Sequence, residues 1–231
     1  MPVTVNTVSS KLGHVSQLIY TAFAGGWQFF AFSTMKENNQ VESNSRIFEY
    51  LGIISFVATS FICACSYGIF KFLFKADYLS GYIAAPYLFL APLLQMLFQV
   101  VANQFLVVKK TWPNLFILGS GAVLNVIINF LLIPVIGIEG ASIATLMGYV
   151  VSDIICVIVL CRMKLMVISK KFIFAALLMG VFMILWRFFF SYELLLGMIS
   201  AIVMSAVMML FYNNEIKRVI DMIRNRKVQS K

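Results

Sequence analysis

Long runs of apolar residues most strongly constrain what this chain can fold into. A helix of about 20 apolar residues, rising ~1.5 Å per residue, crosses the ~30 Å hydrocarbon core of a bilayer. Several segments reach that length, and 61% of the 231 residues are hydrophobic while only 12% are charged. Soluble domains are roughly 45 to 50% apolar and about a quarter charged. The runs therefore predict a polytopic membrane protein.

The same runs predict an all-α fold. Lipid offers the backbone no hydrogen-bond partners, so a spanning segment is either a helix or a strand of a closed barrel. The two-residue alternation of barrel strands is missing from these runs. We predict an external segment at 1–10, a basic cytoplasmic tail at 213–231, and between them, at 11–212, a bundle of about seven transmembrane helices. The helices are expected at about 11–35, 47–74, 78–108, 111–134, 137–161, 172–190 and 192–212.

Basic residues predict the orientation of the bundle, because cytoplasmic loops retain Lys and Arg. With a cytoplasmic C-terminus, fourteen of the eighteen Lys and Arg residues fall on the inside. The other four, at or near the outer side, are Lys11, Lys71, Lys75 and Arg187. Arg187 is expected to extend its long side chain to the interface. The net charge of +9 thus needs no nucleic-acid partner.

No sequence motif indicates an enzyme. The chain has no phosphate-binding glycine loop, no nucleophile elbow, no paired carboxylates and no metal-ligand cluster. Its four cysteines lie in or at the ends of apolar segments without ligand spacing, so neither a metal site nor a disulfide framework is indicated. We expect a protein without catalytic residues, cofactor or metal.

Polar residues at helical spacing are the candidates for function, because polar groups inside the bilayer are costly unless they face protein or a water-filled cavity. The candidates for lining a substrate cavity are His14, Gln17, Thr21 and Gln28 in the first helix, Gln95, Gln99 and Asn103 in the third, and Asn125 and Asn129 in the fourth. The alternative is that these side chains only hydrogen-bond neighbouring helices and hold the bundle together. Both interpretations remain open.

Asp153 is the best candidate for a functional ionisable group. It lies well inside the fifth predicted helix, where a carboxyl group is expected to be protonated, paired or exposed to a polar cavity. We predict a role in ion coupling. The alternative is a structural ion pair with a loop cation such as Lys109 or Lys110.

Small residues recur three and four apart along the same predicted helix. They are Gly137, Gly140, Ala144 and Gly148. Such spacing lets two helix backbones approach closely, so these residues predict a packing surface for a partner helix. Pro134 and Gly137 are also predicted to mark the tight turn before this helix.

Three segments resemble the polysaccharide flippases, which export O-antigen and capsule units within the multidrug/oligosaccharidyl-lipid/polysaccharide superfamily. They are the stretch Lys-Lys-Thr-Trp-Pro-Asn at 109–114, the asparagine-bearing helix ending at Pro134, and Gly-Ile-Glu-Gly-Ala-Ser-Ile-Ala-Thr at 137–145. The segment from Lys11 to Trp27-Gln-Phe-Phe is similar as well. Together these segments cover about a third of the chain.

The resemblance implies a multi-pass transporter of the bacterial cytoplasmic membrane. It would move a polyprenyl-diphosphate-linked oligosaccharide through a polar cavity between two helical bundles, coupled to an ion gradient. Family members have twelve to fourteen helices, so the seven predicted here resemble the C-terminal half, and Met1 is expected to fall in an external loop. The implied partners are the lipid-linked oligosaccharide, membrane lipid, and the N-terminal bundle or polysaccharide assembly proteins.

Two other functions compete with this one. A cation-coupled exporter of drugs or lipid precursors, from the same superfamily, would favour an apolar cavity with a buried carboxylate. A membrane subunit without transport activity would use the small-residue surface to pack against a partner.

Overall fold

A computed structural model describes residues 14–27, 39–73 and 76–213 of the chain. Within these ranges the secondary structure is helical with no strand, which confirms the all-α prediction. Helix α1 covers residues 14–27. The other helices are α2 (Gln40–Leu73), α3 (Ala85–Val107), α4 (Trp112–Ile136), α5 (Ile138–Arg162), α6 (Lys170–Leu185) and α7 (Leu194–Phe211). The segment 1–10, Gln28 and the tail after residue 213 lie outside the described residues.

Six of the described helices are long and apolar enough to cross a membrane. They are α2 to α7, with a 3-10 segment at Ala76–Tyr82 leading into α3 and a π-helical turn at Trp186–Phe190 extending α6. The chain is therefore a multi-pass helical bundle.

Helix α3 begins at Ala85, seven residues after the predicted start, because a 3-10 segment precedes it, and two further boundaries differ for physical reasons. Helix α2 begins at Gln40, seven residues before the predicted start, because its polar first turns are buried against the segment that precedes α6: Ser45 Oγ accepts a hydrogen bond from the Val167 amide at 3.0 Å. Helix α4 continues through Pro134 to Ile136, since a proline in the last turn removes only one hydrogen bond.

Helix α3 forms the centre of the bundle. It packs against α2 on one side and α5 on the other, while α7 packs on α2 and α4 packs on α5. Its side chains supply much of the core, including Leu97, Val100 and Phe105, which are almost completely buried. Polar groups on α3 are therefore held between helices and away from lipid.

Candidate functional site

Polar side chains from three helices meet in the middle of the bundle. The Tyr20 hydroxyl of α1 donates a hydrogen bond to Gln99 Oε1 of α3 at 3.1 Å. One turn earlier, Gln95 Oε1 accepts a hydrogen bond from the Tyr149 hydroxyl of α5 at 3.4 Å. Residues four apart lie one above the other on a helix. Gln95 and Gln99 therefore join α3 to α5 and to α1 at two successive levels.

Asp153 follows Tyr149 by one turn on α5. It lies three residues past the helix midpoint at Val150, which is within about 5 Å along the axis. The residue is only 8% exposed, and neither carboxylate oxygen has a hydrogen-bond partner among the described residues. Lys109 and Lys110, the cations proposed as its structural partners, are exposed and form no ion pair with it. We call this group the central polar layer: Tyr20, Gln95, Gln99, Tyr149 and Asp153.

The α3 amides continue beyond this layer towards the end of the helix. Asn103 and its neighbour Gln104 are buried, and within the described part of the chain Asn103 Nδ2 and both amide atoms of Gln104 lack hydrogen-bond partners. Gln104 does not belong to the pattern of every fourth residue formed by Gln95, Gln99 and Asn103, so that spacing does not predict it. An amide directly beside Asn103 in an apolar helix was the signal that could have identified it.

The polar stripe predicted on α1 lies mostly away from the packed core. His14 and Thr21 are exposed and Gln17 is half-buried. The Thr21 hydroxyl donates to the backbone oxygen of Gln17 at 2.8 Å, within its own helix. The inward side of α1 carries Ser16 and Tyr20 instead.

The two α4 amides contact α5 and each other. Asn125 Nδ2 donates to Thr145 Oγ1 at 3.5 Å, and Asn129 Nδ2 donates to Asn125 Oδ1 at 3.0 Å. Both asparagines are half-buried. Asn125 thus links α4 to α5, Asn129 supports Asn125 within α4, and both lie apart from the contact that α3 makes with α1.

The small residues of α5 lie against the backbone of α4. A Cβ added to Gly148 would lie 3.0 Å from the carbonyl oxygen of Gly121, and one added to Gly140 would lie 2.7 Å from a backbone carbon of Leu132. Ala144, between them, is completely buried. Gly137 is an exception, because its Cβ position is open and its φ of 58° makes it the turn residue between α4 and α5.

An ion pair that local sequence spacing does not predict lies at the end of the bundle where α5 begins. Arg187, in the π-helical turn, donates from Nε and Nη2 to the two carboxylate oxygens of Glu139, the second at 2.8 Å. The side chain is thus held by the start of α5 rather than simply extended to the interface. Beside Glu139 lies a cavity of about 340 Å³ with largely apolar walls, lined by Ser80, Ile83, Ala84 and residues 136–138.

A second buried carboxylate joins three elements at the opposite end of the bundle. Glu49 of α2 accepts hydrogen bonds from the Ser169 amide at 2.6 Å, the Ser169 hydroxyl at 2.8 Å and the Tyr212 hydroxyl at 3.3 Å. Ser169 also caps α6, since its Oγ accepts from the Phe172 amide. Both oxygens of this carboxylate accept hydrogen bonds, so Glu49 holds α2 to the neighbouring elements, and Asp153 is the buried acid of the described residues whose oxygens have no partner.

The described residues contain no candidate metal site, because nowhere among them do three His, Cys, Asp or Glu side chains lie close enough together to hold a metal ion. All four cysteines are free thiols. Within the described residues, the arrangement offers hydrogen-bond donors and acceptors and one buried acid, Asp153, whose carboxyl oxygens have no hydrogen-bond partner.

No protein family, no curated protein and no solved structure matches this chain.

Proposed function

We propose that this chain is a helical bundle of a flippase that moves polyprenyl-diphosphate-linked oligosaccharide across the bacterial cytoplasmic membrane. The observation that carries the proposal is the central polar layer, which lies near the middle of helices that are otherwise apolar. A sugar diphosphate cannot enter hydrocarbon unless polar groups replace its water. The polyprenyl tail can remain in the bilayer while the headgroup crosses.

The exposed polar side of α1 supports a cavity next to this layer. His14 and Thr21 are exposed on a helix that the sequence predicts to span the membrane. Such groups are costly against lipid tails and are expected to face protein or water. We propose that this side of α1 lines a headgroup cavity shared with a second helical bundle.

Asp153 is the proposed coupling group. Its carboxyl oxygens are buried near mid-membrane and have no hydrogen-bond partner in the described residues. Intramembrane acids of this kind belong to ion pathways and proton relays. In the proposed mechanism Asp153 binds a proton or a cation from the gradient, and the change of local charge alters how α5 packs against α3.

The proposed orientation places the C-terminus in the cytoplasm. The α3–α4 and α5–α6 connections contribute four exposed cations at one end of the bundle: Lys109, Lys110, Arg162 and Lys164. The α4–α5 turn at the other end carries no basic residue. This asymmetry is the one that the positive-inside rule predicts.

One observation favours a second candidate, a cation-coupled exporter of drugs or lipid precursors. Gln95 and Gln99 already hydrogen-bond tyrosines within the bundle, while the Asp153 carboxyl does not bond to any described residue. A cavity with occupied amides and an unpaired acid suits a cationic amphiphile better than a sugar.

Transport in proteoliposomes distinguishes these candidates. The chain, purified from native membranes with the protein that supplies the second helical bundle, is reconstituted with a fluorescent polyprenyl-diphosphate disaccharide, and dithionite is added to bleach the label exposed outside. If a flippase is present, dithionite bleaches nearly all of the label, because labelled lipid from the inner leaflet reaches the outer leaflet. Bleaching that stops at the level of protein-free liposomes contradicts the flippase, and gradient-driven efflux of a cationic dye by the same vesicles would favour the exporter.

The Asp153→Asn variant tests the coupling role. We expect it to lose the acceleration that an ion gradient gives, because Asn cannot change charge. Glu193→Gln, which removes an exposed acid at the start of α7, is the matched control and is expected to leave transport unchanged.

A further inference from the structure

Helix α3 ends in a turn that usually carries glycine. The Lys109 amide donates to the Leu106 oxygen at 3.0 Å, and the Lys110 amide donates to the Phe105 oxygen at 2.9 Å. These are the two hydrogen bonds of the Schellman motif, in which the residue after the C-cap adopts a left-handed conformation. Lys109 occupies that position with φ of 55°.

Helix α5 ends in the same way. The Lys164 amide donates to the Cys161 oxygen at 3.1 Å, and the Leu165 amide donates to the Leu160 oxygen at 2.9 Å. Lys164 has φ of 59°. A side chain in this conformation brings Cβ close to the following carbonyl, which glycine avoids. In both turns, therefore, a lysine occupies a position where glycine would lower the conformational strain of the backbone.

The two turns lie at one level of the bundle. The hydrogen bond from Tyr149 to Gln95 aligns α5 with α3, and the two helices run in the same direction because a single crossing, α4, separates them. Thirteen residues further along each helix, Arg162 lies level with Val108. Lys109 and Lys164 follow these positions, so both lysine turns reach the same side of the membrane together.

The cations of these turns are not neutralised within the bundle. Lys109, Lys110, Arg162 and Lys164 are all exposed, and none forms an ion pair with a described acid. Next to them, Trp112 at the start of α4 is 65% exposed. An exposed tryptophan beside lysines is typical of the membrane–water interface.

We propose that the twin-lysine turns, defined as residues 109–110 and 162–164, bind the phosphate headgroup of an anionic phospholipid in the inner leaflet. Charge complementarity selects an anion, and the exposed Trp112 at the same level selects one that is anchored in the bilayer. The two lysines also lie at the negative C-terminal ends of the α3 and α5 helix dipoles. Glycine at these positions would form the same capping hydrogen bonds, so capping does not account for the lysines. The inference stands independently of what the protein transports.

Fluorescence quenching of Trp112 tests the proposal. The full chain is placed in phosphatidylcholine nanodiscs containing a minor fraction of brominated phosphatidylglycerol or, in a parallel set, brominated phosphatidylcholine. Quenching that persists in Trp112→Phe comes from Trp27 and Trp186 and is subtracted. We expect stronger quenching by the anionic lipid, by roughly fivefold or more in local enrichment, and a decrease at high salt. Equal quenching by the two lipids, or enrichment insensitive to salt, overturns the proposal.

The double variant Lys109→Gly, Lys164→Gly separates binding from folding. Glycine suits the left-handed turn, so we expect an unfolding temperature equal to or above that of the wild type while the enrichment disappears. Lys109→Asn, Lys164→Asn is a second pair that this conformation tolerates, and it keeps the test decisive if the glycine pair folds poorly. Lys71→Ala removes an exposed lysine at the other end of the bundle and is expected to change nothing. Enrichment that survives both double variants overturns the proposal.

Discussion

Helices α3 and α4 are consecutive in the chain and both are apolar enough to span a membrane, yet they occupy opposite environments. In the most apolar 18-residue stretch of each span, 72% of the residues are buried in the span ending with α3 and only 11% in α4, although α4 has the higher mean hydropathy, 2.2 against 1.6. Lipid tails accept apolar side chains as readily as a protein core does. Hydropathy thus identifies the spans but does not identify the central helix.

The number of neighbouring helices accounts for the difference. Helix α3 packs against α2 and α5, and Gln99 also joins it to α1. Helix α4 has three buried residues, Pro113, Ile117 and Gly121, and among the described helices it packs closely only on α5. A central helix is therefore distinguished by how many helices it contacts, which apolar content does not reveal.

Truncating a leucine on each helix tests the comparison with the largest expected effect. Leu97 of α3 is 1% exposed, whereas Leu131 of α4 is 65% exposed. Leu97→Ala is expected to lower the free energy of unfolding by about 2 kcal/mol, at the low end of the usual range because lipid removes the water-transfer contribution. Leu131→Ala, which exchanges contacts with lipid, is expected to change it by less than about 0.5 kcal/mol. Unfolding in mixed micelles of mild detergent and dodecyl sulfate measures both, and similar losses would contradict the burial difference.

Two glycines of α4 test its single packed side. A Cβ on Gly121 would lie 2.1 Å from Ser152 Oγ and 2.5 Å from the Gly148 oxygen, while nothing lies within 4 Å of the Cβ position of Gly119. Gly121→Ala is therefore expected to cost about 1 to 3 kcal/mol through overpacking. Gly119→Ala, two residues away, is expected to be neutral or slightly stabilising because alanine favours helix. Equal thermal stability of the two variants would rule out the close α4–α5 contact.

The interhelical hydrogen bonds give the smallest expected difference. Tyr20 meets Gln99 at 3.1 Å on α3, whereas Asn125 meets Thr145 at 3.5 Å on α4. In double-mutant cycles with Tyr20→Phe and Gln99→Leu we expect a coupling energy of about 0.6 kcal/mol. The cycle with Asn125→Leu and Thr145→Val is expected to give less, because its hydrogen bond is longer. A larger coupling on α4 would reverse the order.

Local spacing predicts much of this structure. The all-α fold follows from the length of apolar runs, and the contact of Gly140 and Gly148 with α4 follows from small residues at helical spacing. Both depend on neighbours in sequence. The predicted start of α2 is seven residues too late, because hydropathy detects the apolar part of a helix but not the polar turns that precede it.

Contacts between residues that are far apart in the chain could not be predicted from the sequence. Arg187 and Glu139 are 48 residues apart, and Glu49 and Ser169 are 120 apart, so nothing in local spacing links them. The facing of α1 is a similar case. Its polar residues at His14 and Thr21 predict a cavity-lining side, but their spacing does not identify Tyr20, whose long side chain makes the contact with α3.

Cross-linking between α1 and α3 tests most directly whether the central polar layer is assembled as described. In a background with Cys63, Cys65, Cys156 and Cys161 replaced by alanine, Tyr20→Cys is paired with Gln99→Cys in native membranes and treated with a short bifunctional thiol reagent. Such a reagent is needed because two long side chains meet end to end, and a disulfide requires closer backbones. We expect this pair to cross-link much faster than the pair Thr21→Cys with Gln99→Cys. Faster cross-linking of the Thr21 pair would contradict the layer and place the other side of α1 against α3.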